Sequence, residues 1–163
     1  MKAKLLMLSV ALAAATSVMT PATAEAGYRQ YYSSWNYHPT RSYHYTRYYY
    51  KPTPTYSTYS YHYCISYPSQ PRYVYYYNPH ARQYWGRFDL EGKDGAQYSL
   101  LKPEDRKENL KDIPESAFPP PAQMPVIPEA TDATGTKSDG TRIEPIKELP
   151  PEAPEDVPAG SSP

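Results

Sequence analysis

The chain has 163 residues, 17 basic and 17 acidic side chains, and unusually high counts of 20 Tyr and 20 Pro. From residue 27 onward, Leu, Ile, Val, Met and Phe together number 16 of 137 residues, about 12%, which is below the level at which soluble chains normally fold. This composition argues against a conventional enzyme domain, so we expect neither enzymatic activity nor a cofactor.

The N-terminal segment, residues 1–26, has the composition of a secretory signal peptide. Lys2 precedes an apolar run over residues 5–15, and small residues stand at cleavage spacing at 22–24 or 24–26. The apolar run is shorter than the ~20 residues that span a bilayer. We therefore predict removal of the segment and no stable membrane span afterwards. The product would be secreted, periplasmic or associated with the cell wall.

Residues 27–72 form a basic, low-complexity region of Tyr, Ser, Thr, His, Pro and Arg. Within it, Tyr59, Tyr61, Tyr63, Ile65 and Tyr67 alternate with polar residues, a strand pattern with one aromatic face. Four prolines flank this stretch and would interrupt a longer hydrogen-bonded ladder, because proline has no N–H to donate. We expect the region to be disordered or loosely extended.

Residues 73–118 are the part of the sequence that looks foldable. Ranges 72–77, 84–90 and 96–101 are strand candidates, separated by turn-rich residues. Pro103 at a first helical position, acidic residues after it and a stop before Pro114 predict one short helix. The predicted fold class is a small α+β element, a three-stranded antiparallel meander plus a short helix, in a mostly disordered chain.

Residues 119–163 form a proline-rich, acidic tail. The prolines favour polyproline II or an extended chain, and the carboxylates keep such a chain solvated. We expect this tail to be disordered and to have no core.

Charge divides the chain into two blocks. Residues 27–88 carry seven basic side chains and no acid, whereas residues 89–163 carry 16 acids and eight basic side chains. All four His lie in the positive block and would add charge at mildly acidic pH. Such asymmetry predicts an anionic partner for the first block, with the tail competing for it. The seven basic residues are Arg29, Arg41, Arg47, Lys51, Arg72, Arg82 and Arg87.

Three stretches carry a resemblance to a group of proteins. Residues 84–90, 98–101 and 112–118, within a shared segment of about 73–128, resemble part of small, secreted, tyrosine-rich bacterial proteins with no assigned activity. The resemblance implies a compact module after a variable aromatic region.

A second, partial resemblance is to the second hairpin of WW domains, in Tyr76-Tyr77-Asn78 followed by Trp85. Trp85 comes one residue early for that family, and Ala81 stands where the family has Thr. We prefer the interpretation that Trp85 and Phe88 pack the meander.

Motifs for catalysis or metal binding are missing from the sequence. His38, His44 and His62 with Cys64 have spacings that fit no closed metal site, and we predict none. Cys64 is the one cysteine of the chain. In an oxidising compartment it can form an intermolecular disulfide, although an unpaired surface thiol fits the sequence equally well.

Two classes of function remain, and we favour the first. The first is a structural or adhesive envelope protein that binds an anionic polysaccharide or other envelope polymer, with possible self-association and no small-molecule substrate. Tyr and Arg together also suit nucleic acid, but the predicted secretion disfavours it. The alternative is a binding module, residues 73–118, that recognises one protein or glycan. The candidate binding residues are Arg41, Arg47, Lys51, Arg72, Trp85, Arg87 and Tyr98.

Overall fold

The computed structural model describes residues 28–152, which form one curled antiparallel sheet of seven strands. The order is β1-β3-β4-β5-β6-β7, and β2 pairs with β3 beside β1. β1 pairs with residues 48–50 and β2 with residues 43–45, so two short strands share one edge of β3. The strands are β1 Gln30–Tyr32, β2 Asn36–His38, β3 Tyr43–Tyr50, β4 Ser60–Ser66, β5 Tyr73–Asn78, β6 Gln83–Lys93 and β7 Ala96–Leu100.

Tyrosines line both faces of this sheet because side chains alternate along each strand. In β3, Tyr48 and Tyr50 are fully buried on one face, here called face A, while Arg47 and Tyr49 are half-buried on the opposite face B. The register carries this pattern to β4, where Arg47 pairs with Tyr63 and Tyr49 with Tyr61.

Face A packs against the chain from 119 to 150. Four side chains of that segment cluster with Tyr48, Tyr76 and Trp85, and Ile127 is completely buried. The backbones of Tyr98 and Ala122 exchange two hydrogen bonds, at 2.9 and 2.8 Å. The segment is therefore an integral layer of the core. Its four core residues are Met124, Ile127, Ile143 and Ile146.

Face B is covered over only part of its area. Residues 101–118 place Leu101, Leu110 and Ile113 against Tyr75 and Tyr84, in a second cluster of buried side chains. Three 3₁₀ helices of one turn each occur in this cover, at Pro103–Asp105, Leu110–Asp112 and Glu115–Ala117. The rings over β1, β3 and the start of β4 remain half-exposed or exposed.

The predicted fold class is wrong. β5, β6 and β7 occupy the ranges proposed as strands, but they are one side of a seven-stranded sheet, and the expected helix is three separate single turns. Residues 27–72 contribute β1 to β4, because their prolines fall in the loops between strands, where no ladder hydrogen bond is lost. The proposed disordered tail instead packs on face A through side chains as far along the chain as Ile146.

The predicted signal peptide, residues 1–26, lies outside the described residues and stays a prediction. Within residues 28–152, no helix has the length and apolar character needed to cross a membrane.

Candidate functional site

The uncovered part of face B is an aromatic surface with a positive charge. We call it the tyrosine face. β3 supplies one row of it by alternation, β4 the next row through the register, and β1 and the loop before β4 supply its rim. Tyr31 and Tyr59 at the rim are 41% and 38% exposed, so ring area is open to a partner. Its residues are Tyr31, Tyr43, Tyr45, Tyr49, Tyr59, Tyr61 and Tyr63, with Arg41, Arg47 and Lys51.

The rings of the tyrosine face contact one another in an unbroken series. Tyr31 stacks on Tyr49, with ring centroids 4.9 Å apart and planes 16° from parallel. The series continues from Tyr49 to Tyr61 at 5.8 Å, to Tyr63 at 5.5 Å and to Tyr45 at 5.9 Å. Such pairs contribute roughly 0.5–1.5 kcal/mol each beyond their buried area. The rings are therefore held in place before any partner binds.

Arg47 lies at the centre of this surface and is held by tyrosines. Its guanidinium carbon is 5.8 Å from the ring centre of Tyr61 and 5.6 Å from that of Tyr63. The neighbouring hydroxyls of Tyr63 and Tyr49 raise the pKa of Arg47 above its ordinary value. The group is thus a fixed positive charge with aromatic walls.

Lys51 and Arg41 mark the two ends of the tyrosine face along β3. The Lys51 ammonium is 4.7 Å from the centre of the Tyr59 ring. Arg41 is exposed in the turn between β2 and β3. Burial raises the pKa of the Tyr43 phenol, and the nearby Arg41 charge opposes that rise. Among residues 28–152, none of the three cations Arg41, Arg47 and Lys51 forms an ion pair with a carboxylate.

The other four basic residues of the positive block are all paired with carboxylates of the acidic block. Arg29 lies 2.7 Å from Asp139, Arg72 lies 2.6 Å from Asp89, and Arg87 lies 2.5 Å from Glu115, while Arg82 pairs with Glu108. Folding therefore neutralises four of the seven charges internally. The three that remain share the tyrosine face.

The seven predicted binding residues are divided among different surroundings. Arg41, Arg47 and Lys51 lie together on the tyrosine face, and Arg72 is engaged by Asp89. Trp85 and Tyr98 belong to the core of face A, with 6% and 1% of their surface exposed.

Arg87 is buried on the opposite side of the sheet from these two aromatics, under the rings of Tyr73 and Phe118 at 3.9 and 4.1 Å. Trp85, Arg87 and Tyr98 therefore share no exposed surface through which residues 73–118 could recognise a partner. The seven tyrosines of the tyrosine face are not among the predicted site residues. The alternation over residues 59–67 was the signal that could have found them.

Cys64 is completely enclosed on face A, and burial raises the pKa of its thiol. The sulfur is therefore out of reach of another chain while the fold is intact, which does not suit the predicted intermolecular disulfide. Burial also lowers the pKa of His44, and it lowers that of His62 to about 3. Contrary to the expectation from the sequence, His62 therefore adds no charge at mildly acidic pH. Within residues 28–152, no group of three His, Cys, Asp or Glu is placed to hold a metal.

A groove of about 720 Å³ opens at one end of the tyrosine face. The β2–β3 turn forms one wall, and residues 108–110 of the cover form the other. Between the walls, tyrosine rings from β3, β4, β5 and β6 supply the lining.

Comparisons with protein-family models, curated proteins and solved structures find no match to this chain. The resemblances to tyrosine-rich secreted proteins and to the WW hairpin stay predictions.

Proposed function

We propose that this protein is a non-catalytic binding protein, secreted or associated with the cell envelope, whose tyrosine face holds an anionic polysaccharide. The observation that supports the proposal is the segregation of charge. Arg41, Arg47 and Lys51 lack a carboxylate partner within residues 28–152 and lie on one aromatic surface, whereas the other four cations of their block are paired.

Each component of the surface matches one feature of an acidic glycan. Tyrosine rings stack against the apolar C–H faces of sugar rings, and their hydroxyls exchange hydrogen bonds with sugar hydroxyls. Guanidinium and ammonium groups form charge-assisted hydrogen bonds with carboxylates or phosphates. Because the rings are already in mutual contact, little side-chain entropy is lost when a chain binds.

The shape of the surface favours a polymer over a small molecule. Arg47 and Lys51 are four residues apart in extended chain, roughly 13 Å, and Arg41 lies in the turn that precedes the other end of β3. One small anion cannot contact all three groups. A chain that carries repeated negative charges can, and the predicted export would bring the protein to envelope polymers.

A titration of the purified chain tests the proposal. Polygalacturonate serves as the acidic polymer and dextran as the neutral one, each at about 50 and about 300 mM salt, a range over which screening of exposed charges changes strongly. We expect tight binding of polygalacturonate at low salt, with much weaker binding at high salt. Equal affinity for the two polymers, unchanged by salt, would contradict the proposal.

A further inference from the structure

The groove at the end of the tyrosine face lies beside residues 101–118, the segment that covers the rest of face B. Tyr43, Tyr45 and Tyr63 belong to both the tyrosine face and the groove, so the two surfaces are continuous. On the far side, Glu108, Asn109 and Leu110 line the groove. The backbone N–H of Tyr84 donates to the Lys107 carbonyl at 2.8 Å, which fixes this wall to the sheet.

Arg41 supplies the unpaired positive charge of the groove. Arg41 lines the groove together with Tyr43, Tyr67 and Tyr77, and its charge opposes the rise in pKa that burial causes at these three phenols. Glu108, in the opposite wall, is already paired with Arg82. Arg41 is the Arg or Lys side chain of the groove lining, and it has no carboxylate partner among the described residues.

The groove floor combines ring surface with hydroxyl groups. Tyr77 and Tyr84 meet edge to face with centroids 5.0 Å apart, and the hydroxyls of Tyr67 and Tyr84 are hydrogen-bonded at 2.7 Å. The volume of about 720 Å³ lies in the range of sites that bind small molecules.

We infer that this groove is a subsite for the end of an acidic glycan chain, with the carboxylate of a terminal uronic acid on Arg41 and its ring against Tyr77. The inference rests on the proposed function and extends it to short ligands. A polymer that follows β3 from Lys51 past Arg47 meets the wall at Glu108, so its terminal sugars enter the groove. A short acidic oligosaccharide should then bind there without the rest of the tyrosine face.

The test uses the trimer of galacturonic acid and its methyl ester, which has the same shape without charge. In calorimetric titration of the full chain, we expect the acidic trimer to bind one to one. Arg41→Gln should weaken it about tenfold, as loss of one charge-assisted hydrogen bond predicts, and the methyl ester should bind more weakly than the acid. Lys51→Gln, which removes the same charge at the far end, should leave trimer affinity within about twofold while weakening polygalacturonate.

Ring variants provide a second, independent readout. Tyr77→Leu keeps an apolar side chain but removes the stacking surface of the groove, and should weaken the trimer. Tyr59→Leu makes the same change at the far rim and should not. Thermal unfolding of each variant verifies that the sheet is intact.

Two failures are distinguishable. If polygalacturonate binds but the trimer does not, or if Arg41→Gln and Lys51→Gln weaken the trimer equally, the chain-end subsite is wrong and the proposed function stands. If neither ligand binds, the proposed function itself fails.

Discussion

Arg29 and Asp139 join the two charge blocks of the chain through a bidentate ion pair, with nitrogen-to-oxygen distances of 2.7 and 2.8 Å. Arg29 also donates to the carbonyl of Lys51 at 3.2 Å, so the pair connects the end of β3 to the segment that covers face A. The charge asymmetry of the sequence is thus used within the fold. It does not simply mark a basic region and a free acidic tail.

Stability should depend on this pair with a defined pH profile. The Arg29 guanidinium holds the pKa of the Asp139 carboxyl well below its usual range. A carboxyl whose pKa is depressed by folding stabilises the fold above its unfolded pKa, about 4, and loses that contribution as pH falls through the folded value.

Asp139→Asn should therefore lower the Tm at pH 7, and the difference from wild type should shrink below about pH 4. Asp94→Asn, in an exposed turn with no ion pair among the described residues, is the control and should leave the Tm unchanged. A deficit for Asp139→Asn that stays constant down to pH 2 would contradict this assignment.

The segment from 119 to 152 should contribute to the free energy of unfolding. Ile143 is 2% exposed within the face A core, so Ile143→Ala should cost about 2–5 kcal/mol in urea-induced unfolding. Leu149, in the same segment, is 70% exposed, and Leu149→Ala should change stability by less than about 0.5 kcal/mol. Equal, negligible effects of the two substitutions would mean that the segment does not pack on the sheet.

Two buried tyrosine hydroxyls should respond differently to removal. The hydroxyls of Tyr76 and Tyr32 are hydrogen-bonded at 2.8 Å, whereas the Tyr98 hydroxyl is buried without a partner among the described residues. Tyr76→Phe should lose about 0.5–1.5 kcal/mol, and Tyr98→Phe should be neutral or stabilising because an unpaired polar group leaves the core. Urea titration of both variants decides this, and a larger loss for Tyr98→Phe would reveal a hydrogen-bond partner for that hydroxyl.

Cys64 should be unreactive in the folded protein. Its complete burial and raised thiol pKa predict slow labelling by a thiol reagent at pH 8 in buffer and rapid labelling in urea. The chain should also run as a monomer under non-reducing denaturing conditions. Rapid labelling without denaturant, or a disulfide-linked dimer, would show that Cys64 is accessible.

Local chemistry allowed part of the sheet to be predicted from the sequence. Asn78 accepts hydrogen bonds from the backbone N–H groups of His80 and Ala81, and Gly95 takes a positive φ of 78°, so both turns of the β5–β7 region are visible in the residue types. The alternation over residues 59–67 likewise coincides with β4.

Much of the rest of the core was missed because tyrosine supplies so many of its side chains. Composition rules count tyrosine as an intermediate residue, but Tyr48 and Tyr50 are fully buried here. The Tyr48 hydroxyl donates to Gln30 at 2.7 Å, which offsets the cost of removing it from water. That partner lies 18 residues away and cannot be inferred from local pattern.

The candidate site was predicted only in its charges. Arg41, Arg47 and Lys51 were named from the positive block, together with Arg72, which Asp89 engages. Which cations stay unpaired depends on long-range contacts such as Arg29 with Asp139, 110 residues apart. No feature of the local sequence distinguishes Arg41 from Arg29, and the fold makes that distinction.

The most direct test of the central claim compares two triple variants that remove the same charge. The first variant removes the three positive charges of the tyrosine face, through Arg41→Gln, Arg47→Gln and Lys51→Gln. The second removes three exposed positive charges elsewhere, through Lys93→Gln, Lys102→Gln and Lys111→Gln. The measurement is the slope of log Kd for polygalacturonate against log salt concentration, with Tm as the control for folding.

The account predicts a slope near zero for the first triple variant and a slope close to that of wild type for the second, because only contacts with the bound polymer release its counterions. Equal slopes for the two triple variants would contradict the assignment of polymer binding to the tyrosine face.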